Sequence, residues 1–182
     1  MRSRGGLATF AVVGVIIVVV LGGYVVAAAL SEPVGESVDV AGVVRVQPLR
    51  GWALARRGTI AGVPLAQVTR GSGNLRIAAI SGRGGSAERL ANDYQRLVLS
   101  RELSQLSVSK QLNAVTLRSG LRGLRFAYVG VVAGTGASVE GEVIAVVAPS
   151  GNAVVFDGWA PAGLLPFVRS DIDAMVANAE VP

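Results

Sequence analysis

The chain predicts an α+β domain preceded by one N-terminal transmembrane helix. The domain is a mainly antiparallel sheet sandwiched between helices, an α/β/α arrangement. Three observations carry this. Residues 7–30 form an uninterrupted apolar run without charge. Downstream, short segments rich in Val, Ile, Leu and Ala are separated by Gly, Pro and Asn, the punctuation of strands and turns. Two further stretches repeat their apolar residues at helical spacing.

Residues 1–6 hold Arg2 and Arg4 and are expected to stay in the cytoplasm. The 7–30 run, as a helix, would be roughly 36 Å long at ~1.5 Å per residue, enough for a hydrocarbon core of ~30 Å. A secretory core segment is usually shorter, ~7–15 residues, so a retained signal-anchor is expected. The alternative is a signal cleaved after Ala29, because Ala27-Ala28-Ala29 has the small-residue pattern of a cleavage site. Arg2 and Arg4 precede the run, while Glu32, Glu36 and Asp39 follow it. The positive-inside rule then predicts a single-pass plasma-membrane protein with its C-terminal domain outside the cytoplasm. Gly23 and Ala27 have small-xxx-small spacing, which a Gly- and Ala-containing membrane helix often meets by chance. Residues 31–42, with one Pro, two Gly and three acids, read as an acidic linker. Residues 43–182 suit one domain with a single core.

Within that domain, VVRVQ, GWALARRG, PLAQVTRG and NLRIAAI (residues 43–80) read as successive strands. Ser86 is a candidate N-cap for a helix whose stripe is Ala87, Leu90, Tyr94, Leu97 and Val98. Residues 104–120 give no clear period. GLRFAYVGVVA and SVEGEVIAVVA flank the Gly134-Thr135-Gly136 turn, a hairpin signal, and NAVVFDGWA follows as a third strand. After Pro161, the residues Leu165, Val168, Ile172, Met175 and Val176 share one helical face. The late strands are apolar on both sides, and a sheet with one wet face should alternate instead. Helices are therefore expected to cover both faces.

The opening strands with Gly51-Trp52, the mid-chain AERLANDYQRL, the run GLRGLRFAYVG, the hairpin ending VIAVVAPSGNAVVFDG and the terminal DIDAMVANAEV together form a recognisable pattern. It resembles the PsbP-like superfamily, and within it the actinobacterial exported, LpqN-type members. The resemblance spans roughly residues 43–181 and is one of pattern, without a shared site motif. It implies an α/β/α sandwich that serves as a binding or assembly module, usually without catalysis. The chain lacks the lipid-bearing cysteine of those lipoproteins, and a membrane helix would take the lipid's place.

Composition narrows the chemistry. With no Cys and no His, thiol catalysis, disulfides and the commonest general base and metal ligand are absent. The net charge is +5, carried by arginine apart from Lys110. Between Asp39 and Glu88 lie Arg45, Arg50, Arg56, Arg57, Arg70, Arg76 and Arg83 and no acid. If the strands bring them together they make a face for an anionic lipid, a wall polymer or an acidic protein; the alternative is scattered, solvated strand-edge arginines. A second acid-free run holds Lys110, Arg118, Arg122 and Arg125. Nucleic acid is not expected outside the cytoplasm.

Four smaller signals remain. Ser107-Val-Ser109-Lys110 fits S-x-x-K, in which one helical turn lets lysine take a serine proton, but the companion motifs of such enzymes are missing. Glu140 and Glu142 share a strand face, as glycoside-cleaving or cation-binding acids can; two acids at the wet end of a strand are the commoner case. Gly82, Gly84 and Gly85 with Arg83 precede a helix, where amides can hold an anion, although a tight connection explains them as well. Trp52 and Trp159 each follow a glycine and are either core plugs or the aromatic lip of a cleft. The expectation is a non-enzymatic envelope module that binds a protein partner or an anionic lipid or other envelope ligand, with no cofactor and no metal. The alternatives are a small envelope hydrolase using Ser/Lys or paired Glu, and a secreted carrier of an apolar ligand.

Overall fold

A computed structural model describes residues 36–82 and 85–182. The 7–30 segment, with the 1–6 terminus and most of the linker, lies outside the described residues, as does Arg83. No helix among the described residues is long and apolar enough to cross a membrane.

The main sheet has eight strands. These are β3 (Ala53–Ile60), β4 (Val63–Arg70), β5 (Gly73–Ile80), β6 (Leu103–Val108), β7 (Asn113–Thr116), β8 (Arg122–Val132), β9 (Ser138–Val147) and β10 (Ala153–Pro161). Their order is β3-β4-β5-β10-β9-β8-β6, with β7 also paired to β8, and all pairings are antiparallel. A separate ribbon pairs β1 (Val38–Val40) with β2 (Val44–Val46). The acidic stretch at 31–42 is thus not linker throughout, because Val38 and Val40 are buried and start the domain.

Helix α1 (Ala87–Tyr94) begins at Ser86, whose side chain accepts from the Arg89 amide at 3.1 Å, the cap read from the sequence. It runs on through a π-helical turn (Gln95–Leu99) into a last turn, Ser100–Glu102. Helix α2 (Leu165–Ala177) has no cap from its own neighbours. Glu140 on β9 supplies one, its Oε1 accepting from the Leu165 amide at 3.0 Å. Residues 104–120, without period in the sequence, are β6 and β7, short strands at the sheet's margin.

The core is two layers rather than one. Ile77, Val146, Val154 and Phe156 pack with the β1–β2 ribbon and with Ile172, Met175 and Val176 of α2. The other face joins Ala78, Val143, Phe126 and Val155 to Leu90, Tyr94, Val98 and Leu99. Alternation along a central strand feeds both layers. On β10, Val154, Phe156 and Gly158 face α2, while Val155, Asp157 and Trp159 face α1. Cover is incomplete on β8, where Phe126 and Tyr128 are buried but Val129, on the opposite face, is 51% exposed. The expectation of helices over both faces therefore fails at this strand, because α2 lies over β10 and β5 and stops short of β8.

Candidate functional site: a polar pocket beside Trp159

Two charged residues among those described are fully buried, Arg76 and Asp157. They lie directly opposite each other on β5 and β10, on the α1 side of the sheet. The two carboxylate oxygens of Asp157 each accept a tyrosine hydroxyl. Tyr94, from α1, donates to Oδ2 at 2.7 Å, and Tyr128, from β8, donates to Oδ1 at 2.8 Å. The Arg76 Nη1 donates to the Tyr94 hydroxyl at 3.3 Å, and Glu102 takes both ends of the guanidinium, at 3.2 and 2.8 Å. Arg76 also stacks on the Trp159 ring, its Cζ 4.9 Å from the centroid. The network thus joins β5, β10, β8, α1 and the helical turn that follows it.

Gly141 makes the arrangement fit. It pairs with Tyr128 across β8 and β9, and a Cβ there would lie 2.5 Å from the Tyr128 ring and hydroxyl. Without a side chain at 141, the tyrosine lies over the strand and reaches Asp157. Charge follows burial. Desolvation pushes the Asp157 carboxyl above its ordinary value, and Arg76 with the two hydroxyls only partly opposes this. The Tyr94 and Tyr128 hydroxyls are pushed up by burial and then by the neighbouring carboxyl, so both remain proton donors. Burial alone would lower Arg76; Tyr94, Asp157 and Glu102 outweigh it, and the guanidinium stays charged.

Beside this network lies a cavity of about 320 Å³ lined by Arg76, Arg101, Glu102, Tyr128, Asp157 and Trp159 among others. That is the low end of the range for small-ligand sites, ~300–1,000 Å³. Arg76 Nε is buried with no partner, and a buried donor without an acceptor costs ~1–3 kcal/mol.

The residues singled out from the sequence fall elsewhere, with two exceptions. Trp159 lines the cavity, and Arg76 is its buried cation rather than part of a surface patch. Trp52 is a core residue whose indole donates to Asp171 at 3.0 Å. Arg70 also binds Asp171, Arg57 binds the Asp39 carbonyl, and Arg56 donates to Gln67 at 2.9 Å. Arg45 lies 4.0 Å from Glu180, and Arg50 is exposed. Among the described residues Arg45, Arg56, Arg57 and Arg70 lie on the ribbon, on the edge strand β3 and at the end of β4, and each has a partner within the domain. Glu140 and Glu142 do share a face, but each has a structural partner. Glu140 caps α2, and Glu142 bridges Arg125 at 3.4 Å and Arg169 at 2.6 Å, with Asp173 closing the cluster at 2.5 Å from Arg125. Ser107 lies on β6 and Lys110 in the exposed segment after it, so no helical turn joins them. Gly82 and Gly85 have positive φ, and Arg83 and Gly84 between them lie outside the described residues. Among the described residues no group of three or more acids is placed to hold a metal.

Sequence reasoning missed Asp157, Tyr94 as a polar group, Tyr128 and Glu102. The signal was present: one acid inside NAVVFDGWA and one arginine inside NLRIAAI, each a lone charge in a strand otherwise apolar on both faces.

No family model and no curated protein matches the chain. Solved structures do. Cyanobacterial PsbP (CyanoP) from Synechocystis sp. PCC 6803 superposes with a TM-score of 0.59 at 15% identity, over 81% of this chain and 92% of that one. LpqN, involved in cell envelope biogenesis of Mycobacterium tuberculosis, gives 0.53 at 12% identity over 76% and 83%. The Saccharomyces cerevisiae Ran-binding protein Mog1p gives 0.54 at 12% over 82% and 96%. The fold is that of PsbP and Mog1. At such identities the likeness is one of fold alone.

Proposed function

We propose that the chain is a single-pass envelope protein, N-terminus cytoplasmic, whose exported domain is a non-enzymatic module binding a protein partner through the Trp159 pocket. The observation that carries this is the pocket itself. Its carboxylates and its guanidinium are tied to one another, and no nucleophile is paired with a base, which suits recognition better than turnover. Arg76 already has Glu102 and Asp157 as counter-charges, so the pocket holds no free buried cation for an anionic headgroup. It offers the part-exposed Glu102 carboxylate as acceptor, the exposed Arg101 guanidinium as donor and the partly buried Trp159 ring. These suit a neutral polar group of the partner carrying both donors and acceptors, such as an amide side chain. The PsbP/Mog1 fold supports the reading, since Mog1p is a Ran-binding protein and LpqN belongs to envelope biogenesis.

The test is site-specific photocrosslinking in the native host from position 101, at the pocket mouth, with position 119 as a distant control. A protein captured from 101 alone, and lost on Trp159→Ala with the domain still folded, is the expected result. Equal capture from both positions, or capture indifferent to Trp159→Ala, overturns the proposal.

A further inference from the structure

We infer that the end of the domain carrying Leu164, Pro166 and Phe167 sits in the surface of the bilayer, as a second contact beside the anchor. This rests on reading residues 7–30 as a retained membrane helix.

Phe167 is 79% exposed and Leu164 40%, at the start of α2, and Val129 of the uncovered β8 face is 51% exposed. Contiguous apolar exposure of this kind marks an interaction site more often than chance. Two uncharged stretches meet there. Residues 158–168 read GWAPAGLLPFV, and residues 126–139 read FAYVGVVAGTGASV. They are joined where the Ala162 amide donates to the Ser138 carbonyl at 3.0 Å. The nearest acid, Glu140, turns inward to cap Leu165. Arginines flank this end. The Ala133 amide donates to the Glu102 carbonyl at 2.9 Å, which places the exposed Arg101 beside the β8–β9 turn. Arg169 follows Phe167 by two residues and bridges Glu142 at 2.6 Å with half its side chain still in solvent. An aromatic and aliphatic tip with arginines at its margin is the composition of a bilayer-interface contact, with cations at headgroup level.

Chain length points to lipid rather than to a second copy. Only residues 31–37 separate the apolar run from β1, a tether of roughly 25 Å at most when extended. A domain of this size has a radius of gyration of about 15 Å, so its diameter exceeds the tether. A tether of that length keeps the domain within about 25 Å of the membrane surface, and its uncharged end is the one that gains by contact.

The chain has no cysteine, so Phe167→Cys, Leu164→Cys and Ser119→Cys each create a unique labelling site. The full chain is reconstituted into phosphatidylcholine–phosphatidylglycerol vesicles, labelled with an environment-sensitive fluorophore and quenched with brominated lipid. The expected result is a blue-shifted, quenched label at 167 and 164, about 5–10 Å below the headgroups, and a solvated label at 119. Adding Phe167→Ser should return the 164 label toward water. A label at 167 as solvated as that at 119 overturns the inference. So does a blue shift that persists in lipid-free detergent micelles and vanishes on dilution, which would indicate contact between copies. Carbonate extraction of the unlabelled chain reads the anchor separately. Release by carbonate refutes the anchor alone, while the label at 167 still reports whether this end meets lipid.

Discussion

Gly141→Ala isolates what the Asp157 network contributes. The added Cβ would sit 2.5 Å from the Tyr128 ring and hydroxyl and 2.7 Å from another ring carbon. The ring is buried and belongs to a pleated strand, so it must tilt off β9 and lose its 2.8 Å bond to Asp157. Overpacking costs about 1–3 kcal/mol, and a hydrogen bond to a charged group contributes about 1.5–3 kcal/mol. The sum is about 2.5–6 kcal/mol. At roughly 2–4 °C per kcal/mol for a domain of this size, the midpoint should fall by about 10 °C. Tyr128→Phe removes the bond but leaves the ring in place, so the clash persists in the double variant while the bond is lost only once. A double-mutant cycle by denaturant titration should be sub-additive by about 1.5–3 kcal/mol. If Gly141→Ala stays within about 0.5 kcal/mol of wild type, or the two changes simply add, then Gly141 is not what lets Tyr128 reach Asp157.

Three further outcomes are expected. Arg76→Met leaves Asp157 and Glu102 without their cation and should cost about 3–5 kcal/mol, part of it recovered in Arg76→Met/Asp157→Asn; urea denaturation of both variants checks this. Asp157 binds its proton more tightly folded than unfolded, so its contribution is full below the ordinary carboxylate range and is lost as pH rises through the raised value. Unfolding free energy should therefore fall across that window by up to about 1.4 kcal/mol per pH unit, a slope absent from Asp157→Asn. Ser107→Ala and Lys110→Ala should leave stability within about 0.5 kcal/mol of wild type and partner crosslinking from position 101 unchanged; loss of crosslinking in either variant would revive a role for that pair.

The strand pattern was legible because alternation and turn residues are local. The hairpin about Gly134-Thr135-Gly136, the Ser86 cap and the α1 stripe all came from neighbours within a few positions, and each is found where expected. Residues 104–120 were not legible, since β6 and β7 are short, polar, marginal strands ordered by β8 rather than by their own period. Cover of β8 was misjudged for a related reason. The apolar character of Ala127 and Val129 shows that a face avoids water, but not whether the protein's own helix supplies the cover. The site was the least legible part. Arg76, Tyr94, Glu102, Tyr128 and Asp157 are far apart in sequence and meet only through the order β5-β10-β9-β8. Glu140 and Glu142, adjacent and conspicuous, are used up in packing α2.

Why a central strand should carry Asp157 at all is the remaining physical question. A buried carboxyl tied to two tyrosines and an arginine is seldom a gain over apolar packing of equal volume, because desolvation offsets the attraction. In the lower half of this layer, Leu90, Val98, Val143 and Val155 pack without it. The polar set is confined to the end where the 320 Å³ cavity opens, lined also by Arg101, Val132 and Ala133. The same end, on the other face of the sheet, presents Leu164 and Phe167. A module held to the bilayer there would have its pocket mouth close to the headgroups, so the partner it meets must itself lie near the membrane. Dissolved, tether-free partners would then crosslink from position 101 more weakly than membrane-bound ones, which fractionating the captured proteins into membrane and soluble pools checks.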